Sequence, residues 1–333
     1  MLGYGALTRA KPCSISCTVT SFVLSNRPPR PAVRRALWKR PWVVASAVLL
    51  LGVAVVVRHE KRSVEADVHP VRIQMSAATR ASILAALPGV RDATLHTKDG
   101  LALSGWFAPG TNGAAVVLTP GAWSNRSQLA PEAERLHRAG YGVLIYDLRA
   151  SGESEGDLCT WGDRERNDVE AGVDFVASQP GVEHVGAIGF SIGAYALSSA
   201  AADDRRIEAF VLEGATPSVR EGEQWEDRAY HGLMAPTLQI YRLYGVDIDA
   251  IDVVAALRRM APRPTLVVIG SDDPFIPRWM TDEIVAAAPE PKAEYTVVGA
   301  KHGGYAEAGG AAYLDRVAQF FDRYLVGAGA RTP

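Results

Sequence analysis

Cysteine is nearly absent from this chain. Cys13, Cys17 and Cys159 are the three in 333 residues. Two lie in the N-terminal tract and one stands alone beyond it, so neither a disulfide framework nor a zinc site is indicated. No other metal or cofactor is expected. A basic stripe is missing as well. From Ser63 onward the chain carries 24 Lys/Arg against 36 Asp/Glu, a balance of −12, which argues against nucleic acid as a partner. Beyond the N-terminal region there are no internal repeats and no low-complexity segments. The sequence is silent on oligomeric state.

Positive charge is concentrated at the other end: residues 1–62 hold 11 Lys/Arg against Glu60 alone. Within that region "WVVASAVLLLGVAVVV" (Trp42 to Val57) is uncharged throughout and follows Arg27, Arg30, Arg34, Arg35, Lys39 and Arg40. Sixteen helical residues cover about 24 Å of a hydrocarbon core of about 30 Å. Lys39, Arg40 and Arg58 can snorkel at its ends. No A-x-A site follows, which favours an uncleaved anchor over a cleaved signal. The stronger positive flank keeps the N-terminus cytoplasmic and sends the rest outward. "RRALWK" (Arg34 to Lys39) loosely resembles a twin-arginine export signal. The expected organisation is a basic, disordered tract at 1–41, a transmembrane or signal segment at 42–57, a linker at 58–68 and a catalytic-size domain at 69–327.

That domain reads as alternating strands and helices. "ATLHT" and "LALSGWF" flank Asp99-Gly100, a hairpin signal. Apolar runs follow at 114–119, 141–147, 185–189, 209–213, 265–270 and 294–298, without the polar alternation of a half-exposed sheet, as in strands of a parallel sheet buried on both faces. Leu129, Ala133 and Leu136, then Val169, Val173 and Val176, repeat at helical spacing, and Leu314, Val317, Phe321 and Leu325 form a closing helix. The expected fold is α/β: a mostly parallel eight-stranded sheet with an antiparallel start and helices on both faces. The interval 216–262 is longer than one crossover helix needs and is expected to form a small helical cap. Trp225, Tyr230, Leu233, Met234, Tyr241, Leu243 and Tyr244 give it an apolar, aromatic character.

G-x-S-x-G occurs twice, as "GESEG" (152–156) and "GFSIG" (189–193). A nucleophile elbow needs a buried strand running into the motif and a helix running out of it. "HVGAIGFSIGAYALSSAAA" has both, and places Ser191 at the carboxyl end of its strand, where α/β sheets bind ligands. Ser154 is separated from its strand by polar residues, and Glu153 and Glu155 would repel a developing oxyanion. The order nucleophile, acid, histidine then selects the partners. "TLVVIGSDDPFIP" offers Asp272 and Asp273 after a strand, and of seven histidines only His302, in "VVGAKHGGY", lies beyond them. His69, His137 and His231 read as structural or solvated. His302 would take the serine proton and an aspartate would orient it. The expected oxyanion donors are the backbone N–H groups of Ile192, just after the nucleophile, and of Ala122, in the turn after "AAVVLTPGAW".

These motifs resemble the α/β-hydrolase superfamily, and within it the Bem46-like membrane-anchored serine hydrolases. The resemblance covers roughly 93–325 and rests on "DGLALSGWFAP", "YDLRASGESEG", "GFSIG", "GSDDPFIP" and "GAKHGGY" in the family's order. It implies that "DLRASGESEG" is the family's structural turn of the form D-x-R-G-x-G-x-S. It also aligns Gly270, Asp273, Ile276 and Pro277 with the pattern G-x-x-D-x-x-[VI]-P, ranking Asp273 above Asp272. The chain departs from the family in having Pro120-Gly121 where His-Gly is common. Serine at 191 excludes a haloalkane dehalogenase, which needs Asp, and a dienelactone hydrolase, which needs Cys. The implied activity is cleavage of small acyl esters or thioesters through an acyl-enzyme. The alternatives are a serine peptidase or amidase, and a non-catalytic binding protein of this fold at the membrane.

Overall fold

The apolar runs form one eight-stranded sheet in the order β1-β2-β4-β3-β5-β6-β7-β8. The strands are β1 (Arg91–His96), β2 (Ala102–Ala108), β3 (Ala114–Thr119), β4 (Gly142–Tyr146), β5 (His184–Phe190), β6 (Ile207–Glu213), β7 (Thr265–Gly270) and β8 (Lys292–Val297). β1 pairs antiparallel with β2, and β2 antiparallel with β4; every other pairing is parallel. The first hairpin closes as its Asp-Gly signal implies, with Gly100 at φ 94° and its N–H on the Thr97 carbonyl. All residues of β3, β4 and β7 are buried. From β3 the chain moves to one side to make β4 and to the other to make β5. The crevice at the carboxyl ends of β3 and β5 is therefore the topological switch point, where such sheets hold ligands.

This computed structural model describes residues 41–230 and 234–327, with the backbone alone at 226–230 and 234–236. The basic tract before residue 41, with Cys13 and Cys17, lies outside the described residues. So do His231, Leu233 and the side chains of Tyr230 and Met234. Two units are distinguished, Met1–Gly52 and Val53–Pro333.

Ten helices accompany the sheet among the described residues: α1 (Pro41–Val68), α2 (Ala77–Ala86), α3 (Ala130–Arg138), α4 (Glu165–Ala177), α5 (Ile192–Asp203), α6 (Val219–Tyr230), α7 (Met234–Leu243), α8 (Val253–Arg259), α9 (Arg278–Ala287) and α10 (Tyr305–Phe321). Alternate residues of a strand face opposite ways. Val117, Leu144 and Ala187 thus join one core with α4, α5 and α8, while Val116, Val143 and Ile188 join the other with α3 and α10. The closing helix is buried through Val317, Phe321 and Leu325.

Two expectations need correcting. Residues 58–68 are not a linker: α1 is one helix of 28 residues, and Val64 and Val68, one turn apart, are fully buried in the core. Arg58, His59, Lys61, Arg62, Ser63 and Glu65 are exposed and mask that pair in the sequence. The cap is also smaller than the interval 216–262. α8 packs on α5 and α9 through buried Val253, Val254, Ala256 and Leu257 and is the ordinary crossover helix. The excess is α6 and α7. α1 is the one described helix long and apolar enough to cross a membrane. Trp42, Val48, Leu49, Leu50, Leu51, Val53 and Val55 are all more than half exposed.

Candidate active site

β5 delivers Ser191 and α5 leaves from it. The strand is apolar and buried, and the small residues Gly193, Ala194 and Ala196 let α5 turn back against the sheet. Ser191 sits between them at φ 52°, ψ −117°. A side chain at positive φ costs about 1–3 kcal/mol and persists only where its surroundings over-determine it. Here they do: the Ser191 N–H is bonded to the Glu213 carbonyl at 2.8 Å, and its own carbonyl accepts from Ala194 and Tyr195. Gly193 is obligatory, because a Cβ there would lie 2.3 Å from the carbonyl oxygen of Thr119.

Around Ser191 the two late loops converge. The Ser191 hydroxyl donates to His302 Nε2 at 3.1 Å, and His302 Nδ1 donates to Asp273 Oδ2 at 2.9 Å. The Asp273 side chain is fully buried while that of His302 is 23% exposed. The other oxygen of Asp273 accepts the backbone N–H groups of Phe275 and Ile276, at 2.9 and 3.1 Å, which fixes the carboxylate. Asp272 points elsewhere: it is exposed and accepts from the Ser271 hydroxyl at 2.7 Å. His302 is further held by the rings of Phe190 and Phe275, at 5.1 and 5.6 Å between centroids.

Ser154 has a different role. Its hydroxyl donates to the Asp147 carbonyl at 2.6 Å and accepts from the N–H of Ser104 at 2.9 Å, deep in the turn after β4. The aspartate of the D-x-R pattern, Asp147, pairs with Arg126, and the arginine, Arg149, with Asp168 and Asp99. This second G-x-S-x-G is a structural turn. His69 and His137 bond backbone carbonyls at Asp157 and Tyr141. Burial pushes the Cys159 thiol well up, so it is an inert core residue.

The turn after β3 lies against the nucleophile. A Cβ on Gly121 would meet the Phe190 ring at 2.8 Å and Ser191 Cβ at 3.3 Å. The Gly121 N–H is already bonded to Gln128 Oε1 at 2.7 Å. Among the described residues, no turn, loop or inter-element backbone hydrogen bond takes the N–H of Ala122 or of Ile192, the first residue of α5.

A cavity of about 150 Å³ opens onto Ser191 and His302, lined also by Trp123, Trp161, Tyr195, Thr216, Val219, Glu223, Phe275 and Ile276. Such a volume takes a group of about six heavy atoms. The cap contributes Val219 and Glu223 from α6. Tyr241 of α7 stands behind the pocket, edge-on to Trp161 at 6.4 Å. Sequence reasoning missed Trp123, Trp161 and Gln128. The tryptophans come from loops with no periodicity, and Gln128 from a single 3-10 turn, Arg126–Leu129. The two tryptophans adopt positive φ, 50° and 58°, which nothing in their local sequence announces.

It also missed a buried acid pair beneath the elbow. Tyr313 donates to Glu132 Oε1 at 3.0 Å and contacts Glu213 Oε1 as well. Glu213, at the end of β6, is thereby turned away from His302. One phenolic proton cannot serve two carboxyl groups, so one carboxyl carries a proton of its own. Burial pushes Glu132 up to about 7, and burial together with the Glu132 charge pushes Glu213 well above the carboxylate range.

Residues 105–240 match the X-Pro dipeptidyl-peptidase family S15. The uncharacterized protein Rv2307c of Mycobacterium tuberculosis is 30% identical over 256 residues, covering 75% of this chain and 86% of that one. Among solved structures, the Pyrococcus furiosus esterase Pf2001 superposes with a TM-score of 0.65 at 22% identity, covering 78% of this chain and 98% of that one. The α/β hydrolase GrgF from Penicillium gives 0.57 at 19% identity, covering 71% and 99%. The two solved structures speak to the fold alone. The narrower likeness to Bem46-like hydrolases is carried only by the motifs of the sequence.

Proposed function

The chain belongs to the α/β-hydrolase superfamily, and from that premise we propose that it cleaves carboxylic esters or thioesters with Ser191 as nucleophile, His302 as base and Asp273 as the group that orients the base. The observation that carries this reading is the unbroken hydrogen-bond chain from the Ser191 hydroxyl through both nitrogens of His302 to Asp273, set on a strained elbow.

Serine is a weak nucleophile until a base removes its proton during attack. His302 Nε2 takes that proton as Oγ adds to the acyl carbon, and the Asp273 carboxylate stabilises the imidazolium. The carbonyl oxygen, now negative, accepts from the N–H groups of Ala122 and Ile192; one such donor is worth about 3 kcal/mol in the transition state. Collapse expels the alcohol or thiol, which leaves with the proton from His302. Water then repeats the sequence on the acyl-enzyme, its proton passing through His302 back to Ser191 Oγ, and the carboxylic acid departs. None of these steps calls for a metal or cofactor.

A serine peptidase is the second reading, favoured by the match to the X-Pro dipeptidyl-peptidase family over residues 105–240. That match ends before Asp273, His302 and the Phe275 wall of the pocket. We place the chain in the membrane through α1 with the catalytic domain outside the cytoplasm, on the six basic residues from Arg27 to Arg40 just before Trp42 and the three, Arg58, Lys61 and Arg62, that follow Val57.

The test is hydrolysis of p-nitrophenyl acetate and of an X-Pro p-nitroanilide by wild type, Ser191→Ala and Ser154→Ala. Ester cleavage lost only in Ser191→Ala is expected. Preferential cleavage of the anilide would favour the peptidase. Activity surviving in folded Ser191→Ala would overturn the assignment of the nucleophile.

A further inference from the structure

We propose that the substrate is a membrane-dissolved amphiphile. Its smaller part enters the 150 Å³ pocket, while its long apolar part stays in the bilayer that α1 crosses and passes over the exposed rings at the pocket mouth. This rests on the hydrolase reading above.

The first support is the shortness of the tether. The apolar run ends at Val57, and three residues later Glu60 accepts a hydrogen bond from the Thr237 hydroxyl of α7 at 2.9 Å. Three helical residues rise about 4.5 Å. Further along, Val64 and Val68 are fully buried, and Asp67 accepts from the Tyr241 hydroxyl at 2.9 Å. The cap helix α7 is thus bonded to α1 at the membrane surface rather than suspended from a flexible chain.

No slack follows α1 either. The Cys159 N–H bonds the Val68 carbonyl at 2.8 Å. The Arg72 guanidinium reaches the carbonyls of Ser151, Gly152, Ser154 and Gly156. These contacts clamp the loop that leads to Trp161, and Trp161 lines the pocket. From Asp67 a chain of contacts runs through Tyr241 and Trp161 to Trp123, with ring centroids 6.4 and 5.8 Å apart. The pocket wall and the carboxyl-terminal end of α1 are one packed unit.

The second support is what the mouth presents. Trp123 and Phe275 of the pocket are 45% and 42% exposed, and Trp279, packed edge-on against Trp225 of α6 at 6.2 Å, is 46% exposed. Tryptophan favours the interfacial zone of a bilayer, where its ring is half in apolar and half in polar surroundings. Arg58, Lys61 and Arg62 are exposed beside the end of the apolar run, where they complement anionic headgroups. A bilayer already joined to the chain by α1 is therefore the occupant that fits this rim.

The test uses the full chain in vesicles of phosphatidylcholine and phosphatidylglycerol. Two probes are compared: the acetate ester of a hexadecyl-tailed fluorescein, which partitions into the vesicles, and water-soluble p-nitrophenyl acetate. Seven helix-forming residues inserted between Arg58 and His59 lift the domain about 10 Å while nearly keeping helical phase. The vesicle-bound ester should then be cleaved about tenfold more slowly, with p-nitrophenyl acetate within about twofold of wild type. Trp279→Ser, which leaves the pocket lining intact, should show the same split to a smaller degree. Undiminished cleavage of the vesicle-bound ester by both variants would overturn the proposal and leave the rim to a soluble substrate or a protein partner. A wild-type chain inert toward both probes would instead remove the hydrolase reading, and this proposal with it.

Discussion

The backbone N–H of Gly121 is bonded to Gln128 Oε1 at 2.7 Å, which occupies that amide, so that in the proposed mechanism the oxyanion donor of this turn is the next one, Ala122. Gln128 is therefore a positioning residue. Gln128→Ala should lower kcat by about tenfold with little change in KM, because only a transition-state interaction is disturbed. Gln128→Met, which keeps the length of the side chain and removes the acceptor, should lose about as much rate. Wild-type kcat in both variants would contradict this role.

Asp273 and Asp272 are adjacent in sequence and opposite in environment. Asp273→Asn should reduce kcat by up to about four orders of magnitude by presenting the wrong histidine tautomer, an expectation scaled from the serine-protease triad. Asp272→Asn should stay within about threefold, since Asp272 is exposed and its carboxylate accepts from the neighbouring Ser271 hydroxyl. Steady-state kinetics on p-nitrophenyl acetate decide between them.

The Glu132–Glu213 pair gives stability a distinctive pH dependence. Both carboxyls have folded-state pKa values above the unfolded value, so the folded protein binds more protons. Their contribution is fully present below about pH 4.5 and is lost as pH rises through about 7 for Glu132. Relative to wild type, Glu132→Gln should therefore gain thermal stability at pH 8 compared with pH 5. A Tm difference between the two proteins that does not change with pH would contradict the raised pKa of Glu132.

Membrane topology has its own measurement. A reporter active only after export, fused behind residue 333, should be active, and carbonate-washed membranes should retain the whole chain. A reporter active only in the cytoplasm would reverse the orientation, and a shortened, released protein would indicate cleavage after α1.

How far the sequence reaches depends on the kind of interaction. Strands buried on both faces need apolar residues at every position, so β3 through β7 are visible as unbroken runs. The elbow is visible because its steric demands fall within five consecutive residues, Gly189 to Gly193. Asp273 and His302 follow from chain order and loop pattern. The rest depends on partners far apart in the chain. Val64 and Val68 read as part of a polar segment until they join a core whose members reach from Ala93 to Ala288. Glu132 and Glu213 look like unrelated acids until Tyr313 joins them. Trp123 and Trp161 meet only because two loops cross at the switch point.

The account stands or falls on whether Ser191 is chemically activated, and a fluorophosphonate probe measures that without any assumption about substrate. The reagent bonds to a serine only where a base takes the hydroxyl proton and N–H donors receive the P=O oxygen. The account predicts stoichiometric labelling on the peptide that contains Ser191, abolished in His302→Ala and strongly slowed in Asp273→Asn. Folded wild-type protein left unlabelled by the fluorophosphonate and by a small sulfonyl fluoride, or labelled at another serine, would contradict it.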